Sequence, residues 1–396
     1  MSAIQQITAV TAMNLKSLPQ RFTTSLVIVI GIAGVVAVLV SVLAMSTGMI
    51  KSIQGAGADD RAIVMRTGST SEISSNLDVT SSVTVMDAPG VKRDGEGNAV
   101  ASAETMTVVL LTKKDGSEVS VPMRGVGVNG FELRPEVNII EGRKFEPAVY
   151  EFIVGKGAHA QYEGLDVGAE VNLRGATWKV VGVYESNGDT HEGELMANRD
   201  TLASATGRSA RVSSVTVQLN GADAFDTFKD ALTTNPTLSV DVMRESEYFA
   251  QQSEAVGPLL NIIAYVVGGI MAVGAIFAAL NTMYSAVSNR MVEIATLRAL
   301  GFGSTPIIFS ILMEALLLAL IGGTIGAFLG WLFFNGHTVS TIAGSIALES
   351  KVFSLYVSPS LMVLGIIWAL VIGMLGGLFP AIRAARLPIA TALRSS

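Results

Sequence analysis

Few residues in this chain have types and spacings that could carry out catalysis. It has no cysteine, only three histidines and no Gly-x-Ser-x-Gly sequence, so no pairing of a nucleophile with a base can be specified. Residues 125–130 match the G-x-G-x-x-G pattern of dinucleotide-binding turns. Pro135 follows them, however, and no amphipathic helix begins there, so the pattern predicts a turn rather than a nucleotide site.

Two groups of acidic residues could bind cations. The first, residues 94–98, resembles the start of a calcium loop, but Ala99 stands where glycine is required and Thr105 where the closing glutamate should be. The second group consists of Asp189, His191, Glu192 and Glu194. A lone histidine among acids in a loop is more often solvated than bound to a metal, and we predict a solvated tip in both places.

Glu314 is the one acid inside a long apolar run. Carboxylates within membrane helices are candidates for function, for example in proton relays. Glu314 lies about eight residues past Pro306, roughly 12 Å along a helix, where it can reach the interface or bond to a neighbouring helix. This position favours a structural or coupling role over proton transfer.

The chain has no phosphate loop of the Walker type. Its only Gly-Lys pair, Gly155-Lys156, is followed by Gly157 instead of serine or threonine. We therefore expect the chain to bind no ATP by this means, and any ATP-driven work to require a partner.

The elements that position these residues are membrane helices around one large polar segment. The chain of 396 residues is 50% hydrophobic, with a mean hydropathy of +0.51 and only 15% charged residues, against roughly 25% in soluble domains. Four apolar runs reach the roughly 20 residues that a spanning helix needs. They are residues 23–47, 258–284, 307–334 and 361–382. The sequence therefore predicts a membrane α-helical protein with four transmembrane helices, arranged as one plus three.

The polar segment, residues 48–257, is long enough to fold by itself. Its short β-branched or alternating runs, separated by turn residues, indicate a mixed α/β (α+β) domain with mostly short strands. The predicted strands are residues 62–66, 106–111, 119–125, 152–154, 170–173, 178–184 and 212–219. The predicted helices are residues 158–162, 198–205, 222–234 and 246–254, the last running directly into the second span.

The charge distribution predicts the orientation in the membrane. The basic residues Lys16, Arg21, Arg290, Arg298, Arg383, Arg386 and Arg394 all lie on one side if the four helices alternate. That side should be cytoplasmic, because short loops rich in lysine and arginine stay inside. Both termini are then cytoplasmic, whereas the acidic domain and the loop of residues 335–360 are extracytoplasmic.

The first apolar run could instead be a signal peptide with a cleavage site near residues 44–46. Its apolar core exceeds the roughly 7–15 residues of a signal peptide, so we predict an uncleaved membrane anchor. Before it, apolar residues recur at helical spacing and Pro19 ends the pattern. Residues 1–22 are therefore predicted to form an amphipathic helix at the inner membrane surface.

Residues 285–306 connect the second and third spans. Val287, Met291, Ile294, Leu297 and Leu300 recur at helical spacing, and Gly301 follows as a C-terminal glycine. The pattern predicts a short helix across the cytoplasmic surface that carries the charges of Arg290, Glu293 and Arg298; a simple interfacial linker is the alternative. In the third span, Gly322, Gly326 and Gly330 repeat every four residues, which allows close helix approach either within the chain or at a dimer seam.

Two cytoplasmic segments resemble a known family. Residues 293–301 read EIATLRALG, which resembles the E-I-x-x-L-R-A-L-G line of MacB-like (FtsX-domain) ABC transporter permeases. Residues 379–394 are similar to the closing line of the same permeases. Gly-Arg-Lys-Phe at residues 142–145 and Val-Val-Gly-Val at residues 180–183 resemble their periplasmic core domain.

The resemblance implies a partner and a mechanism. In this family two permease chains pair, as a homodimer or a heterodimer, and each coupling helix docks on an ABC ATPase subunit, here expected to be separate. ATP and magnesium belong to that subunit, and the permease is a non-catalytic membrane subunit with no cofactor of its own. The implied ATPase-coupling residues are Arg290, Glu293, Leu297, Arg298, Ala299, Leu300, Gly301, Arg383 and Arg386.

The implied function is mechanotransmission, in which ATP hydrolysis moves the extracytoplasmic domain to export an unidentified substrate from the bacterial inner membrane. A periplasmic adaptor and an outer-membrane channel are further partners that the resemblance suggests, together with membrane lipid; no nucleic acid is expected. The alternative is a regulator without cargo, which transmits the ATPase state to an extracytoplasmic enzyme such as a cell-wall hydrolase.

Overall fold

The computed structural model describes residues 3–17, 22–342 and 350–386. The chain divides into two compact units. The membrane unit consists of Met1–Thr47, Leu259–Gly336 and Leu355–Ser396, and the domain unit of Gly48–Pro258 and His337–Ser354. The two units have separate apolar cores.

The helices and strands are numbered in chain order. The helices are α1 (Ala3–Ser17), α2 (Phe22–Gln54), α3 (Val79–Met86), α4 (Gly130–Leu133), α5 (Lys156–Gln161), α6 (Arg199–Ala205), α7 (Phe225–Thr233), α8 (Glu245–Ser288), α9 (Met291–Ala299), α10 (Ser304–Phe334) and α11 (Pro359–Arg386). The strands are β1 (Arg61–Arg66), β2 (Leu77–Asp78), β3 (Ala101–Thr112), β4 (Glu118–Val126), β5 (Asn138–Gly142), β6 (Glu151–Gly155), β7 (Glu170–Leu173), β8 (Ala176–Glu185), β9 (Leu195–Asn198), β10 (Arg211–Val212), β11 (Ser214–Gln218), β12 (Val240–Arg244), β13 (Thr338–Ile342) and β14 (Ser350–Ser354).

Among the residues that the structure describes, four helices, α2, α8, α10 and α11, are long and apolar enough to cross a membrane. The shortest, α11, has 28 residues, about 42 Å at 1.5 Å per residue, which exceeds the roughly 30 Å hydrocarbon core. One of the four precedes the large polar segment and three follow it, which confirms the predicted fold class. Because α11 continues to Arg386, Arg383 and Arg386 lie on its last turns, beyond the predicted end of the fourth span at residue 382.

Small residues bring α10 and α11 close together in the membrane unit. A Cβ atom added at Gly323 would lie 2.6 Å from Cβ of Ala369, and one added at Gly373 would lie 2.4 Å from Cβ of Ala319. Because neither glycine has room for a side chain, the two backbones pack at short range, as small residues allow in membrane helices.

The domain unit is built on one mixed sheet of ten strands. Its strand order is β12-β1-β11-β3-β4-β9-β6-β8-β5, with β7 added beside β8. The pairs β4–β9 and β6–β8 are parallel and the other pairs in this sheet are antiparallel. One core packs β1, β11 and β12 with α3 and α7. A second packs β3, β4, β6, β8 and β9 with α5 and α6.

Strands were predicted at the positions of β1, β3, β4, β6, β7, β8 and β11, and the structure confirms them. β5, β9 and β12 were not predicted from the sequence. β5 lies at the sheet edge and is mostly exposed, so it lacks the apolar alternation of a half-buried strand. β9 begins with three apolar residues, Leu195 to Ala197, so it has no alternation of apolar and polar side chains.

The segment predicted as an extracytoplasmic loop, residues 335–360, contains part of the domain fold. β13 and β14 pair as an antiparallel hairpin. Val352 of β14 joins the second apolar core, and the Tyr162 hydroxyl donates a hydrogen bond to Ser350 Oγ at 2.8 Å. The prediction of a plain loop was wrong for residues 338–342 and 350–354, because the core that β14 joins is formed by strands that are distant in sequence.

Candidate functional site

The candidate coupling helix is α9, which follows α8 after a two-residue break at Asn289 and Arg290. The break arises because Arg290, the residue before the helix, has φ −108° and ψ 11°. The helix ends before Gly301, whose φ of +93° is the left-handed conformation of a glycine C-cap. The predicted short helix between the second and third spans is therefore present.

The faces of α9 differ in burial. Ile294 and Ala295 are buried against the membrane unit. The opposite face exposes Glu293, Ala299 and Gly301, and the Leu300 side chain, at the helix end, is 73% exposed. Leu297 and Arg298 are half-buried at the border between the two faces. An exposed leucine beside charged residues suits a docking surface.

Two further predicted coupling residues, Arg383 and Arg386, are exposed on the last turns of α11. The Arg383 guanidinium lies over the ring of Tyr284 in α8, 5.5 Å from its centroid, within the range of a cation–π contact. The closing family line continues to residue 394, and its part beyond residue 386 lies outside the described residues.

Arg290 does not lie on the exposed surface of the coupling region, and that part of the prediction was wrong. Its Nη1 and Nη2 donate to Glu314 Oε2 and Oε1 of α10 at 2.7 and 2.8 Å. The two residues are only 5% and 4% exposed. Arg290 and Glu314, which were predicted to have separate roles, form one buried bidentate ion pair.

A cavity of about 20 Å³ adjoins this ion pair. Its lining includes Val10 of α1, Met283 of α8, and Ile294 and Leu297 of α9, together with Arg290 and Glu314. Val10 is buried, so the apolar face of α1 packs into the same region as α9. The predicted amphipathic character of α1 is consistent with this packing.

The glycine stripe of α10 packs within the chain. Added Cβ atoms at Gly322 and Gly326 would lie 2.8 Å from the carbonyl oxygen of Val29 and 2.4 Å from that of Ala33 in α2. At Gly330 the nearest contact is Val40, at 3.2 Å. This observation favours intrachain packing, one of the two alternatives for the stripe, over a dimer seam.

The domain unit contains a buried cluster of charged residues centred on Arg124 of β4. Its guanidinium donates to Glu72 at 2.8 and 2.9 Å, to Glu104 at 2.7 Å and to Glu194 at 2.8 and 3.2 Å. Arg134 donates to both oxygens of Glu104 at 2.6 and 3.1 Å. All five residues are buried, so each charge depends on its partners instead of water.

The first turns of α8 contact this cluster. Arg61 Nε at the start of β1 donates to Glu245 Oε2 at 2.5 Å, and the Tyr248 hydroxyl accepts a hydrogen bond from the Glu72 backbone N–H at 3.3 Å. One residue further, the Phe249 ring packs edge-on against His191 with 5.9 Å between ring centroids. The beginning of α8 is therefore held by the polar interior of the domain.

His191 is not part of a solvated tip, and that prediction was wrong. It is 1% exposed and lies on a 3₁₀ turn, Thr190–Gly193, where Asp189 accepts from its backbone N–H. The other acids of the proposed metal group have separate partners, because Glu194 pairs with Arg124 and Glu192 accepts from the backbone of Ser186 and Gly188. Residues 3–17, 22–342 and 350–386 contain no group of three or more His, Asp or Glu placed to hold a metal ion.

The acidic residues 94–98 behave as predicted for an exposed hairpin tip. Asp94 Oδ1 accepts from the backbone N–H groups of Glu96 and Asn98 at 2.9 and 2.8 Å, and the segment is largely exposed. The carboxylate therefore stabilises the turn through local hydrogen bonds.

Neighbouring charges shift several pKa values in the cluster. Burial by itself raises the pKa of Glu72, but the ion pair with Arg124 outweighs it and brings that pKa to about 2. Burial also raises the pKa of Glu104, but the ion pairs with Arg134 and Arg124 lower it by more. The pKa of Glu104 therefore lies below its ordinary value. For Glu245, burial prevails over the attraction of Arg61, so its pKa is raised.

Comparison with known proteins decides the family. Residues 22–235 match the family model of the MacB-like periplasmic core domain, and residues 265–389 match that of the FtsX-like permease C-terminal domain. The chain therefore belongs to the MacB/FtsX family of ABC transporter permeases. The match to the permease domain includes residues 293–301, at α9 and its C-terminal end, and residues 379–389 of the closing line, two of the segments on which the resemblance was based.

Individual relatives of this MacB/FtsX permease are distant in sequence. The ABC transporter permease YvrN of Bacillus subtilis is 24% identical over 94% of this chain and 94% of its own length. The macrolide export ATP-binding/permease protein MacB of Campylobacter jejuni is 24% identical over 93% of this chain, which spans 58% of that relative. The permease MJ1507 of Methanocaldococcus jannaschii is 25% identical, and the match covers 64% of this chain and 65% of that relative.

Among solved structures, the domain is similar to the periplasmic region of MacB from Actinobacillus actinomycetemcomitans. The match has 15% identity and a TM-score of 0.38, and it covers 52% of this chain and 97% of the other.

Two charge arrangements of this permease were not predicted from the sequence. Arg124 and Glu104 stand on strands that are otherwise apolar or uncharged, within VPMRGV and ASAETM. A charge at an inward position of such a strand is the signal that could have indicated a buried ion pair, because an unpaired charge there is costly. The pairing of Arg290 with Glu314 could have been suspected from an acid inside a span, which needs a partner.

Proposed function

We propose that this permease transmits ATP hydrolysis by a separate ABC ATPase subunit to its extracytoplasmic domain, and so drives the export of a substrate. The observation that carries the proposal is the two-faced α9. Ile294 and Ala295 bury one face, whereas Glu293, Ala299 and the 73% exposed Leu300 point away from the membrane unit. A helix fixed on one side and open on the other is suited to receive a partner.

The energy source is assigned to the partner because of the surroundings of Gly155-Lys156. A Cβ atom added at Gly155 would lie 2.2 Å from the carbonyl oxygen of Glu192. Gly155 ends β6 and Lys156 begins α5 directly, so the glycine packs closely on the Glu192 backbone and is not part of a glycine-rich phosphate loop. ATP and magnesium are accordingly bound by the ATPase subunit, and this chain contributes no catalytic residue.

The proposed location and partners of the permease are based on its charge distribution and its family. It lies in the bacterial inner membrane with both termini in the cytoplasm and the domain outside. A second permease chain completes the transporter, and an adaptor with an outer-membrane channel continues the export route. The exposed arginines of α11, Arg383 and Arg386, lie on the cytoplasmic side in this orientation and add positive charge to the ATPase contact.

The test is co-purification of the ATPase with variants of α9. The tagged full chain is expressed in its native cells, solubilised in detergent and isolated, and the associated ABC ATPase is identified by mass spectrometry. Leu297→Asp combined with Arg298→Asp should abolish association, since it places two acids at the border of the docking face. Leu110→Asp, at an exposed position of the domain, is the matched control and should retain it.

Unchanged ATPase recovery with the α9 double variant would overturn the proposal. Folding of that variant is checked by its monodisperse elution and by hydrogen exchange of the domain sheet, which should both equal those of the unmodified chain.

A further inference from the structure

We propose that the free edge of β3 is a docking site for an extended, acidic peptide segment of another protein, which binds there as an added antiparallel strand. The site lies wholly within the domain unit, and binding at it requires no ATPase. The docking site therefore goes beyond the proposed function of α9 and is tested independently of it.

β3 extends beyond its neighbour on one side. β11 pairs only with Ala101–Glu104, whereas β4 pairs with residues 105–112 on the opposite side. From residue 105 onward, the side of β3 that faces away from β4 therefore has no neighbouring strand in the described sheet. A strand edge of this kind is a template for pairing with another chain.

The hydrogen bonds of Met106 show which residues direct their backbone groups to this edge. Its N–H donates to Ser213 Oγ at 2.9 Å, and its carbonyl oxygen accepts from Arg208 Nη1 at 3.0 Å. Met106 thus faces away from β4, and in an antiparallel strand every second residue faces the same way. The further residues of this set are Val108, Leu110 and Thr112.

The two ends of this edge are capped and its centre is open. Arg174 Nη2 and Nε donate to the Val108 carbonyl oxygen at 2.7 and 3.3 Å, and the Glu163 N–H donates to that of Thr112 at 2.9 Å. Within residues 3–17, 22–342 and 350–386, the Leu110 N–H and C=O have no partner, and the Leu110 side chain is 67% exposed. An added antiparallel strand can exchange both hydrogen bonds with Leu110.

The backbone at Arg174 is in an unusual conformation for arginine. Its φ is +54°, and Gly175 follows with φ +81°, in the two-residue turn between Leu173 of β7 and Ala176 of β8. Such turns favour asparagine before glycine, and strained residues of this kind cluster at functional sites. The turn thus holds a guanidinium at the β3 edge, although asparagine would fit its backbone better.

Exposed charges at the two ends of the edge define the partner. Arg174 and Arg208 are exposed at the Val108 end, and Arg174 bonds Val108 through only two of its three guanidinium nitrogens. At the other end, Glu163 is exposed and acidic. A carboxylate is therefore attracted to the first end and repelled from the second. Because an antiparallel segment has its C-terminal end beside Val108, its acidic residues lie at that end.

Hydrogen exchange of the full chain in lipid nanodiscs tests the site. The probe is a synthetic peptide of about six residues, the usual length of a strand, in which valine and threonine alternate before two C-terminal glutamates. Without the peptide, the amide of Leu110 should exchange rapidly, whereas that of Val109, which pairs with Val121 of β4, should be protected. Addition of the peptide should protect Leu110.

Variants of the edge separate backbone pairing from charge. Leu110→Pro removes the outward N–H, and proline is accepted at such positions of edge strands, so this variant should fold and lose peptide binding. Leu110→Thr is its matched control and should bind the peptide as the unmodified chain does. Arg174→Asn suits the turn better and should weaken binding about tenfold, the effect of one lost charge-assisted hydrogen bond.

Binding is measured by fluorescence anisotropy, and exchange in β4 shows that each variant is folded. A peptide with methylated backbone nitrogens, which cannot donate to the Leu110 carbonyl, repeats the test without a change in the protein and should not bind. Failure of the unmodified peptide to protect Leu110, or equal binding of a peptide that ends in two lysines, would overturn the proposal.

Protection of Leu110 before the peptide is added would overturn it as well. A second copy of the chain then covers the edge if dilution removes the protection, and the chain's own segments cover it if dilution has no effect. None of these outcomes depends on α9 or on the ATPase, so the proposed function can fail while the docking site remains.

Discussion

Asp189 and His191 form a buried pair on one turn of the domain, with 3.3 Å between Asp189 Oδ1 and His191 Nδ1. Asp189 also accepts hydrogen bonds from the Ser186 hydroxyl and the His191 backbone N–H, at 2.7 and 2.9 Å. The Phe249 ring of α8 packs edge-on against the imidazole, which is 1% exposed. The charged form of His191 therefore has a fixed counterion in a site closed to water.

This pair predicts a pH dependence of stability. Burial lowers the pKa of His191, but Asp189 and Glu194 more than offset it, so the pKa lies above its ordinary value of 6.5. The stability contributed by protonation is fully present below pH 6.5 and is lost as the pH rises through the pKa of the folded state. The free energy of unfolding of the unmodified domain should therefore fall relative to that of His191→Gln above pH 6.5.

Hydrogen exchange of the domain sheet in the full chain, measured across this pH range, checks the prediction. Asp189→Asn is the control, because removal of the carboxylate leaves burial as the larger influence and should lower the pKa of His191. Parallel stability curves for the unmodified chain and His191→Gln would contradict the expected linkage.

Replacement of Arg124 should destabilise the domain strongly. Arg124→Met leaves Glu72 and Glu194 without their bidentate partner, and breaking a buried ion pair on one side costs about 3–5 kcal/mol. Arg93 is the matched control, since its pair with Asp87 at 3.2 Å is largely exposed and such pairs contribute about 0–1 kcal/mol. Denaturant unfolding followed by hydrogen exchange in β3 and β4 distinguishes the two. Similar losses for both arginines would refute the central role of Arg124.

The contact of α10 with α2 should not tolerate one added methyl group at Gly326. In Gly326→Ala the new Cβ would approach the Ala33 carbonyl oxygen to 2.4 Å, so the backbones must separate at a cost of about 1–3 kcal/mol. Gly31→Ala adds the same atom to α2 with nothing within 4 Å and should leave stability unchanged or slightly higher. Thermal unfolding of the full chain in detergent, followed by helical circular dichroism, makes the comparison. Equal melting temperatures for the two variants would argue against this helix contact.

The β13–β14 hairpin should be required for a stable domain. Val352→Asp places a charge in the second apolar core, where no partner is available among the core residues, and should cost several kcal/mol. Val128→Asp introduces the same change at a side chain that is 97% exposed. Limited proteolysis of the full chain should cut the domain of the Val352 variant much faster. Resistance equal to that of the Val128 variant would show that the hairpin contributes little.

Local pattern was sufficient for the long and periodic elements. The spans were predictable because a helix that crosses lipid needs a continuous apolar run, and β3, β4 and β8 because long buried strands carry many β-branched residues. The end of α9 was predictable from Gly301, whose positive φ favours glycine. The edge strand β5 was not, because its pairing partner β8 is distant in sequence. Neither was the β13–β14 hairpin, because the apolar core that Val352 joins is formed by residues far earlier in the chain.

Residue types and spacing, read from the sequence by itself, determined the membrane class, the one-plus-three order of helices, the family and the place of the short helix between the second and third spans. Only the tertiary structure decided that Arg290 turns inward to Glu314, that Gly326 packs on α2, and that His191 and Arg124 are buried with carboxylates. The physical reason is that hydropathy and periodicity are properties of neighbouring residues. The partner of a charge, or the space beside a glycine, is set by chain segments far apart in sequence.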